Sequence, residues 1–273
     1  MQTGFAFTKL ADRLATVAEL SADDFDLVAK MPSTISHFSS HDHILRTEDP
    51  PSSCCCLLLQ GYLCWQEQTS GQITSIHVPG DVPDLHTVVS PKLHANLTAL
   101  GPVVVAFVPH AFFREISVRS PDLCRALQLV SLADAACLRN WVSNLGSRDS
   151  LARAAHLICE ITFRLRAVGL AKEYRFPLPF TQSDLAAACA ISAVHANRVT
   201  QELRKRRTLQ WHARTLTITD WHALVRLASF EPDYLGLRDS VARRGYSSYS
   251  PAPTEPDRAA PSHRTSMPGR LGL

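Results

Sequence analysis

The sequence contains no apolar run long enough to cross a membrane. Its longest uninterrupted runs, such as residues 103–108, are far shorter than the roughly 20 residues that a spanning helix needs. Residues 1–5 also lack the basic region and the apolar stretch with which a secretory signal begins. We therefore expect a soluble protein of the cytoplasm without a membrane partner.

Motifs for common enzyme chemistry are missing as well. The chain has no glycine-rich phosphate loop, no nucleophile elbow and no paired zinc-ligand motif, so we expect neither catalysis nor a bound metal or cofactor. A thiol enzyme using Cys54 or Cys64 stays open, but it needs a Cys–His pair that sequence does not reveal. His41 and His43 would share one face of an extended strand and could hold a metal, although a solvated loop is favoured.

The composition is that of a two-domain globular protein with reduced cysteines. At 273 residues and 45% hydrophobic content, the chain is long and apolar enough for two separate cores. Most of the eight cysteines lie inside apolar runs, which indicates small buried thiols rather than a disulfide framework. The net charge of +3 says nothing by itself about nucleic acid, so the local distribution of charge has to decide.

Residues 10–119 are predicted to form a first domain of short strands behind a helical lead-in. Ser21 with Asp24 is a weak helix N-cap signal within that lead-in. Stretches of strand length then alternate with turn signals; they cover residues 54–59, 62–65, 73–78, 95–100 and 103–108. No long helices separate them, so the pattern favours an antiparallel β-roll or barrel with an interior pocket.

Residues 120–146 are predicted to form one long helix that pairs with its copy. Ser120 and Pro121 are a typical helix start. Alternating spacings of four and three define a candidate coiled-coil seam, which consists of Leu123, Leu127, Val130, Asp134, Cys137 and Trp141. Two copies of Asp134 on that seam would repel each other, unless the residue lies off the seam and meets water. A helix that simply packs on the roll is the alternative to self-pairing.

Residues 147–236 contain the most informative pattern, two short helices joined by a tight turn. Thr181 caps the first helix and Asp184 stands three residues later, as in a capping box. Residues 189–191 supply the turn, and Ser192 caps the second helix. This is the geometry of a helix-turn-helix, whose second helix presents its opening turns to DNA bases.

The second helix carries the residue types that read base edges. Arginine can take guanine O6 and N7 together, so Arg198 is the first candidate, with His195 and Asn197 next. Four cations at 204–207 would face phosphates, and the alternation over 208–218 predicts a wing. The predicted DNA-binding residues are Thr181, Gln182, Ser192, Ala193, Val194, His195, Asn197, Arg198 and Arg204. The tail at 237–273 is rich in Ser, Pro and Arg, and we expect it to be disordered.

Over residues 15 to 235 the chain resembles the Crp/Fnr family of bacterial transcription regulators. The strings that carry the resemblance are Val-Pro-Gly-Asp at 78–81, Leu-Pro-Phe-Thr-Gln-Ser-Asp-Leu-Ala at 178–186, Ile191-Ser192 and Asn-Arg-Val at 197–199. The resemblance implies an α+β protein with a cyclic-nucleotide-binding-like roll, a dimerisation helix and a winged helix-turn-helix. It also implies a homodimer that binds double-stranded DNA and contacts RNA polymerase. Arg198 stands where family members place a base-contacting arginine, whereas Ala193 and Val194 depart from the usual readout residues.

The resemblance also bears on the effector. Where cyclic-AMP-binding members hold ribose and phosphate, this chain has residues 83–85 and 93–95, which offer no arginine and include Asp84. Cyclic AMP is therefore not expected to bind by the family's standard mode, and Asp84, His86 and His94 form only a weak candidate pocket. No cysteine precedes Cys54, so the iron–sulfur cluster of oxygen-sensing relatives is not expected either. A small-molecule sensor that has lost DNA binding is the remaining alternative.

Overall fold

The computed structural model describes residues 3–246, and it has the predicted α+β architecture. Two helices precede the strand-rich part: α1 (Thr3–Ala15) and α2 (Ala22–Ala29). The strands that follow are β1 (Thr34–Phe38), β2 (His43–Leu45), β3 (Cys54–Gln60), β4 (Leu63–Gln66), β5 (Ile73–His77), β6 (Asn96–Ala99) and β7 (Val103–Pro109). A single 3-10 turn, Leu85–Val88, lies between β5 and β6.

The second half of the chain is mainly helical. It consists of α3 (His110–Arg119), α4 (Pro121–Ser147), α5 (Ser150–Ala167), β8 (Arg175–Pro177), α6 (Gln182–Cys189), α7 (Ala193–Lys205), β9 (Leu209–His212), β10 (Thr215–Ile218), α8 (Trp221–Ala228) and α9 (Asp239–Tyr246). Short 3-10 turns at Lys172–Tyr174 and Pro232–Leu235 connect some of these elements.

The strands of the first half form two antiparallel sheets that face each other as a roll. One sheet has the order β1-β7-β3 and the other the order β2-β6-β4-β5. Strand β3 is buried on both faces: Cys55 and Leu57 pack towards α1 and α4, whereas Cys56 and Leu58 pack into the roll. Its unbroken apolar run follows from this double burial, because neither face needs polar residues.

The long helix α4 confirms its predicted start but not its predicted seam. Ser120 accepts a hydrogen bond from the N–H of Leu123, and Pro121 occupies the first turn. The five apolar residues of the candidate seam are all buried within their own chain, and Asp134 faces a cavity between α4 and the roll; the five are Leu123, Leu127, Val130, Cys137 and Trp141. The seam prediction is therefore wrong, because the same spacing also packs a helix on its own domain.

A different stripe of α4 is apolar and exposed. Leu132, Leu138 and Val142 expose 63%, 46% and 72% of their surface. Among the described residues they are the exposed large apolar side chains of this helix. An exposed apolar stripe on a long helix is typical of a surface that another protein covers.

Two further sequence expectations need correction. The sequence predicts a disordered tail from residue 237, yet α9 begins at Asp239 and Val241 is buried. The N–H of Arg238 also donates to the carbonyl of Thr16 at 2.9 Å. The predicted boundary is too early because one amphipathic turn in a Ser- and Arg-rich stretch gives a weak signal. Residues 247–273 lie outside the described range. His41 is not on a strand with His43, because its φ of 67° places it in a turn.

No helix within residues 3–246 combines the length and the apolar character that a membrane crossing requires.

Candidate nucleic-acid interface

Helix α6 begins with the capping box that the sequence predicts. The Oγ1 of Thr181 accepts from the N–H of Asp184 at 3.1 Å, and Asp184 Oδ2 accepts from the N–H of Thr181 at 2.7 Å. One face of the helix is buried in the core through Leu185, Ala186 and Cys189. The reciprocal cap satisfies two backbone donors, so it fixes where the helix begins.

The turn between α6 and α7 is made by Ala190 in the left-handed region, with φ 51° and ψ 50°. The N–H of Ile191 closes the turn on the carbonyl of Ala186 at 3.1 Å. A non-glycine residue in this conformation costs about 1–2 kcal/mol, which the packing of both helices on one core has to offset. Ser192 then caps α7 by accepting from the N–H of His195 at 3.2 Å.

Helix α7 has one buried and one exposed face. Ala196, Val199 and Leu203 hold it against the core. The other face is open to solvent and carries Ser192, Ala193, Val194, His195, Asn197 and Arg198. Val194, an apolar residue, belongs to this open face, with 67% of its surface exposed.

The exposed polar side chains of α7 differ in whether they already have a hydrogen-bond partner within the chain. Asn197 Oδ1 accepts from Gln201 Nε2 at 2.8 Å, and His195 Nε2 lies 2.7 Å from Ser150 Oγ. Arg198 forms no hydrogen bond or ion pair with any described residue. Its guanidinium is therefore available to a ligand outside the chain.

The remaining predicted DNA-contact residues lie around this face and differ in their exposure and in their hydrogen bonds. Thr181 is exposed, but its hydroxyl is used in the cap, and Gln182 is half-buried. Arg204 donates to the carbonyl of Trp211 and so ties α7 to the wing. Within the basic run, Arg206 pairs with Glu202 at 2.8 Å.

The wing is larger than the sequence predicts. Strands β9 and β10 form the expected hairpin, whose tip, Ala213 and Arg214, has φ values of 47° and 61°. Two positive φ values are typical of a type I′ hairpin turn. Strand β8 pairs with β10 as a third strand, which the sequence does not predict because three residues are too few to show alternation. Arg214 is exposed at the wing tip.

Helix α6 docks on the roll, and the two halves share one core. Gln72 Nε2 donates to the carbonyl of Ala187, and His41 Nε2 lies 3.1 Å from Asp184 Oδ1. The hydroxyl of Tyr62 donates to the carbonyl of Pro177 at 2.6 Å. The apolar cluster runs continuously from Tyr62 and the β5 strand of the roll into α5 to α8. Because α6 is covered in this way, α7 is the helix of the pair that stays open.

A buried ion network locks the junction between the roll and α5. Asp81 Oδ1 accepts from Arg13 Nε at 2.9 Å, and Asp81 Oδ2 accepts from Arg164 at 2.6 Å. Burial alone would raise the pKa of Asp81, but the two guanidiniums outweigh it and lower the pKa to about 2. Gly80 is required beside it, since its φ is +101° and a Cβ would lie 2.8 Å from the carbonyl oxygen of Lys9. The family-like string at 78–81 thus has a structural duty.

The three residues of the weak candidate pocket do not converge. Asp84 is fully buried beneath a separate cleft, where burial raises its pKa to about 7 although Oδ1 accepts from the N–H of Cys56 at 2.8 Å. His86 lines the cavity between the roll and α4, and His94 is exposed. Asp84 therefore does not share a pocket with His86, because the 3-10 turn after Asp84 points the two side chains into different spaces, whereas His94 is close enough to His86 to lower its pKa further.

The buried cysteines of the roll do not have the environment of an activated thiol. Burial raises the pKa of Cys64 on β4, as it does for Cys55 and Cys56 on β3. A nucleophilic thiol needs a lowered pKa, which comes from a neighbouring cation or a helix N-terminus. Cys54 is half-buried at the start of β3.

Comparison with known proteins gives a family model for the helix-turn-helix region and solved structures of similar fold. Residues 152–227 match the family model of the Crp-like helix-turn-helix domain. FixK2 from Bradyrhizobium japonicum is similar at a TM-score of 0.64 and 19% identity, over 74% of this chain and 100% of that one. The c-di-GMP responsive global regulator CLP from Xanthomonas campestris has a TM-score of 0.55 and 13% identity, over 72% of this chain and 99% of that one. A CRP-family transcriptional regulator from Thermus thermophilus has a TM-score of 0.52 and 16% identity, over 71% of this chain and 97% of that one. Among curated proteins no sequence match was found.

Residues 152–227 carry a Crp-like helix-turn-helix domain, and most of the chain shares the fold of these regulators. The resemblance drawn from the sequence strings is confirmed to this extent.

Proposed function

We propose that the protein is a sequence-specific regulator that inserts α7 into the DNA major groove as a homodimer in the cytoplasm. The observation that carries the proposal is the open face of α7, on which Arg198 has no partner among the described residues. Arg198 would read a guanine, and Asn197 and His195 would contact a base or a phosphate. Ala193 and Val194 would offer only apolar contact, for which the methyl group of thymine is the matching base feature.

The residues around α7 would position the protein rather than specify sequence. Thr181, Gln182 and Ser192 lie at helix N-termini, where backbone N–H groups and the helix dipole favour phosphate. Lys205, Arg207 and Arg214 are exposed cations close to the helix end and the wing, whereas Arg204 would act mainly by fixing the wing. Such contacts supply affinity that falls steeply with salt.

The dimer would form through the exposed stripe of α4 that contains Leu132, Leu138 and Val142. Pairing two copies along this stripe would remove apolar surface from water and bring two copies of α7 to adjacent half-sites. The proposed protein partner, besides a second copy, is RNA polymerase, as the resemblance implies.

The effector would differ from that of the cyclic-AMP-binding members. By the resemblance, Asp84 stands in one of the two stretches that hold ribose and phosphate in those members, and its carboxyl group is buried. A phosphate anion would be repelled there when Asp84 is ionised. We expect calorimetry to give no saturable binding of cyclic AMP at micromolar concentrations.

The test is selection of bound fragments from a random DNA pool, followed by mobility shifts at two salt concentrations. We expect a two-fold symmetric site and a steep loss of affinity with salt. Arg198→Ala should weaken specific binding about tenfold or more, because a bidentate base contact is worth about 1–3 kcal/mol. Arg114→Ala, an exposed arginine on α3, is the matched control and should leave binding unchanged.

Two results would contradict the proposal. A sensor that has lost DNA binding would select no sequence and show no salt dependence. Equal DNA binding by the Arg198→Ala and Arg114→Ala variants would show that α7 does not read the DNA sequence.

A further inference from the structure

A cavity of about 300 Å³ lies at the place where the roll, α4 and α5 meet. Its walls include Trp65 and His77 from the roll, Asp134 and Trp141 from α4, and Glu160 and Arg164 from α5. The volume is at the lower end of the roughly 300–1,000 Å³ that small-molecule sites occupy. The cavity is therefore large enough for a small ligand.

The charged groups around the cavity leave one carboxylate unmatched. Arg164 already donates to Asp81 at 2.6 Å and to the carbonyl of Ile76 at 2.7 Å. Glu160 accepts from the indole N–H of Trp141 at 3.1 Å and from the hydroxyl of Tyr234 at 2.7 Å. The carboxylate of Asp134 lines the cavity and forms no hydrogen bond with any described residue.

The ionisable side chains around the cavity include more acids than guanidiniums. Three acids, Asp81, Asp134 and Glu160, meet two guanidiniums, those of Arg13 and Arg164. Histidines do not make up the difference, since burial lowers the pKa of His77 to about 4 and also lowers that of His86. Burial also raises the pKa of Glu160, but that carboxyl group has hydrogen-bond donors. Asp134 has no hydrogen-bond or ion-pair partner among the described residues, so it is the acid that an added cation could neutralise.

The apolar part of the cavity suits an organic cation better than a metal ion. Trp65 and Trp141 both line the cavity, and the His86 ring lies 6.2 Å from that of Trp65. Indole faces attract ammonium groups and pack against hydrocarbon, whereas hard metal ions need several oxygen ligands. Within the described residues no three His, Cys, Asp or Glu side chains are grouped as metal ligands.

We propose that this cavity binds a small organic amine, whose ammonium group pairs with Asp134 and whose apolar body lies against Trp65 and Trp141. The amine is then the effector of the regulator, and to that extent this proposal rests on the proposed function. The bound amine would contact the roll, α4 and α5 at once, and α5 is the first helix of the Crp-like domain at 152–227. Leu138 contributes both to the cavity and to the exposed stripe of α4, so occupancy can bias pairing.

The experiment is calorimetric titration of the full chain, without DNA, with three probes of nearly equal shape. Phenethylamine is the cation, 2-phenylethanol the neutral probe and phenylacetate the anion. We expect phenethylamine to bind at least about tenfold more tightly than 2-phenylethanol, and phenylacetate to bind least. Phenylacetate binding as tightly as the amine, or no amine binding at millimolar concentration, would overturn the proposal.

The matched variants are Asp134→Asn, which keeps the shape and removes the charge, and Asp122→Asn at the exposed start of the same helix. Asp134→Asn should weaken phenethylamine about tenfold or more and leave 2-phenylethanol unchanged, while Asp122→Asn should change neither. Circular dichroism checks that both variants are folded. Unchanged amine binding by Asp134→Asn would also overturn the proposal.

The DNA selection described above is run on the same preparation, so the two proposals fail separately. If the chain selects a DNA sequence but does not bind the amine, only the proposed effector is excluded. If the chain binds the amine but selects no DNA sequence, the amine site is supported and the proposed regulator function is excluded.

Discussion

The two faces of α4 are both apolar, yet they do different things. The inner face carries Leu123, Val130 and Trp141, which are buried against the chain's own roll and α5. The outer face carries Leu138 and Val142, which are exposed. Spacing alone favours the inner set as a pairing seam, and the structure uses that set for intramolecular packing. The difference teaches that a three-four repeat identifies a packed face but not the partner that covers it.

The largest expected effect is on the inner face. Trp141→Ala should lower the free energy of unfolding by about 3–5 kcal/mol, because it leaves a cavity and removes the N–H donor of Glu160. Urea denaturation followed by circular dichroism measures it. Val118→Ala, at an exposed valine of α3, is the control and should change stability by no more than about 0.5 kcal/mol. Similar losses in the two variants would mean that the inner face does not carry the packing.

The next effect is on the outer face. Val142→Glu should raise the dimer dissociation constant by about tenfold to a hundredfold, since it would place two carboxylates in an apolar contact. Sedimentation velocity over a concentration series measures the shift from dimer to monomer. Val118→Glu makes the same replacement at an exposed valine away from the stripe and should leave the dimer intact. If the Val142→Glu variant stayed dimeric, pairing through the outer face would be excluded.

The smallest effect is a pH-dependent one at Asp134, between the two faces. Burial, and then the charges of Asp81 and Glu160 against those of Arg13 and Arg164, raise its pKa to about 6 from 3.8. The folded state then binds the proton more tightly than the unfolded chain. This group therefore costs stability progressively as the pH rises from about 4 to about 6, and the cost remains above that.

Asp134→Asn removes this cost. We expect the variant to be more stable than the wild type by about 1–2 kcal/mol near neutral pH and indistinguishable from it near pH 4. Urea midpoints measured across that range test the difference. Asp122→Asn should show no such trend, and a difference at Asp134 that grew towards acid pH would reverse the assignment.

The sequence predicted well wherever the deciding contacts are local. The caps at Ser21, Ser120, Thr181 and Ser192 were all identified, and each bond spans three residues. Helix starts, the turn of the helix-turn-helix and the polar opening of α7 follow from such bonds. The exposed position of Arg198 could be expected for the same reason, since Ala196 and Val199 define the buried side of its helix.

Prediction failed where side chains distant in sequence decide the outcome. Asp84 and His86 are neighbours along the chain, yet a 3-10 turn and the packing of β3 send their side chains to different spaces. Asp134 meets Asp81 and Glu160 only because α4 lies across the roll and α5. The third wing strand was too short to leave a pattern.

The sequence by itself determined the order of helices and strands, the helix ends and the cationic, polar character of α7. Backbone hydrogen bonds and side-chain periodicity over short stretches of chain suffice for these features. Only the tertiary structure decided which face of α4 is covered, which carboxyl group remains unmatched and where a cavity opens. These depend on burial, and burial is set by the docking of elements far apart in the chain, as in the contact between His41 and Asp184, which are 143 positions apart.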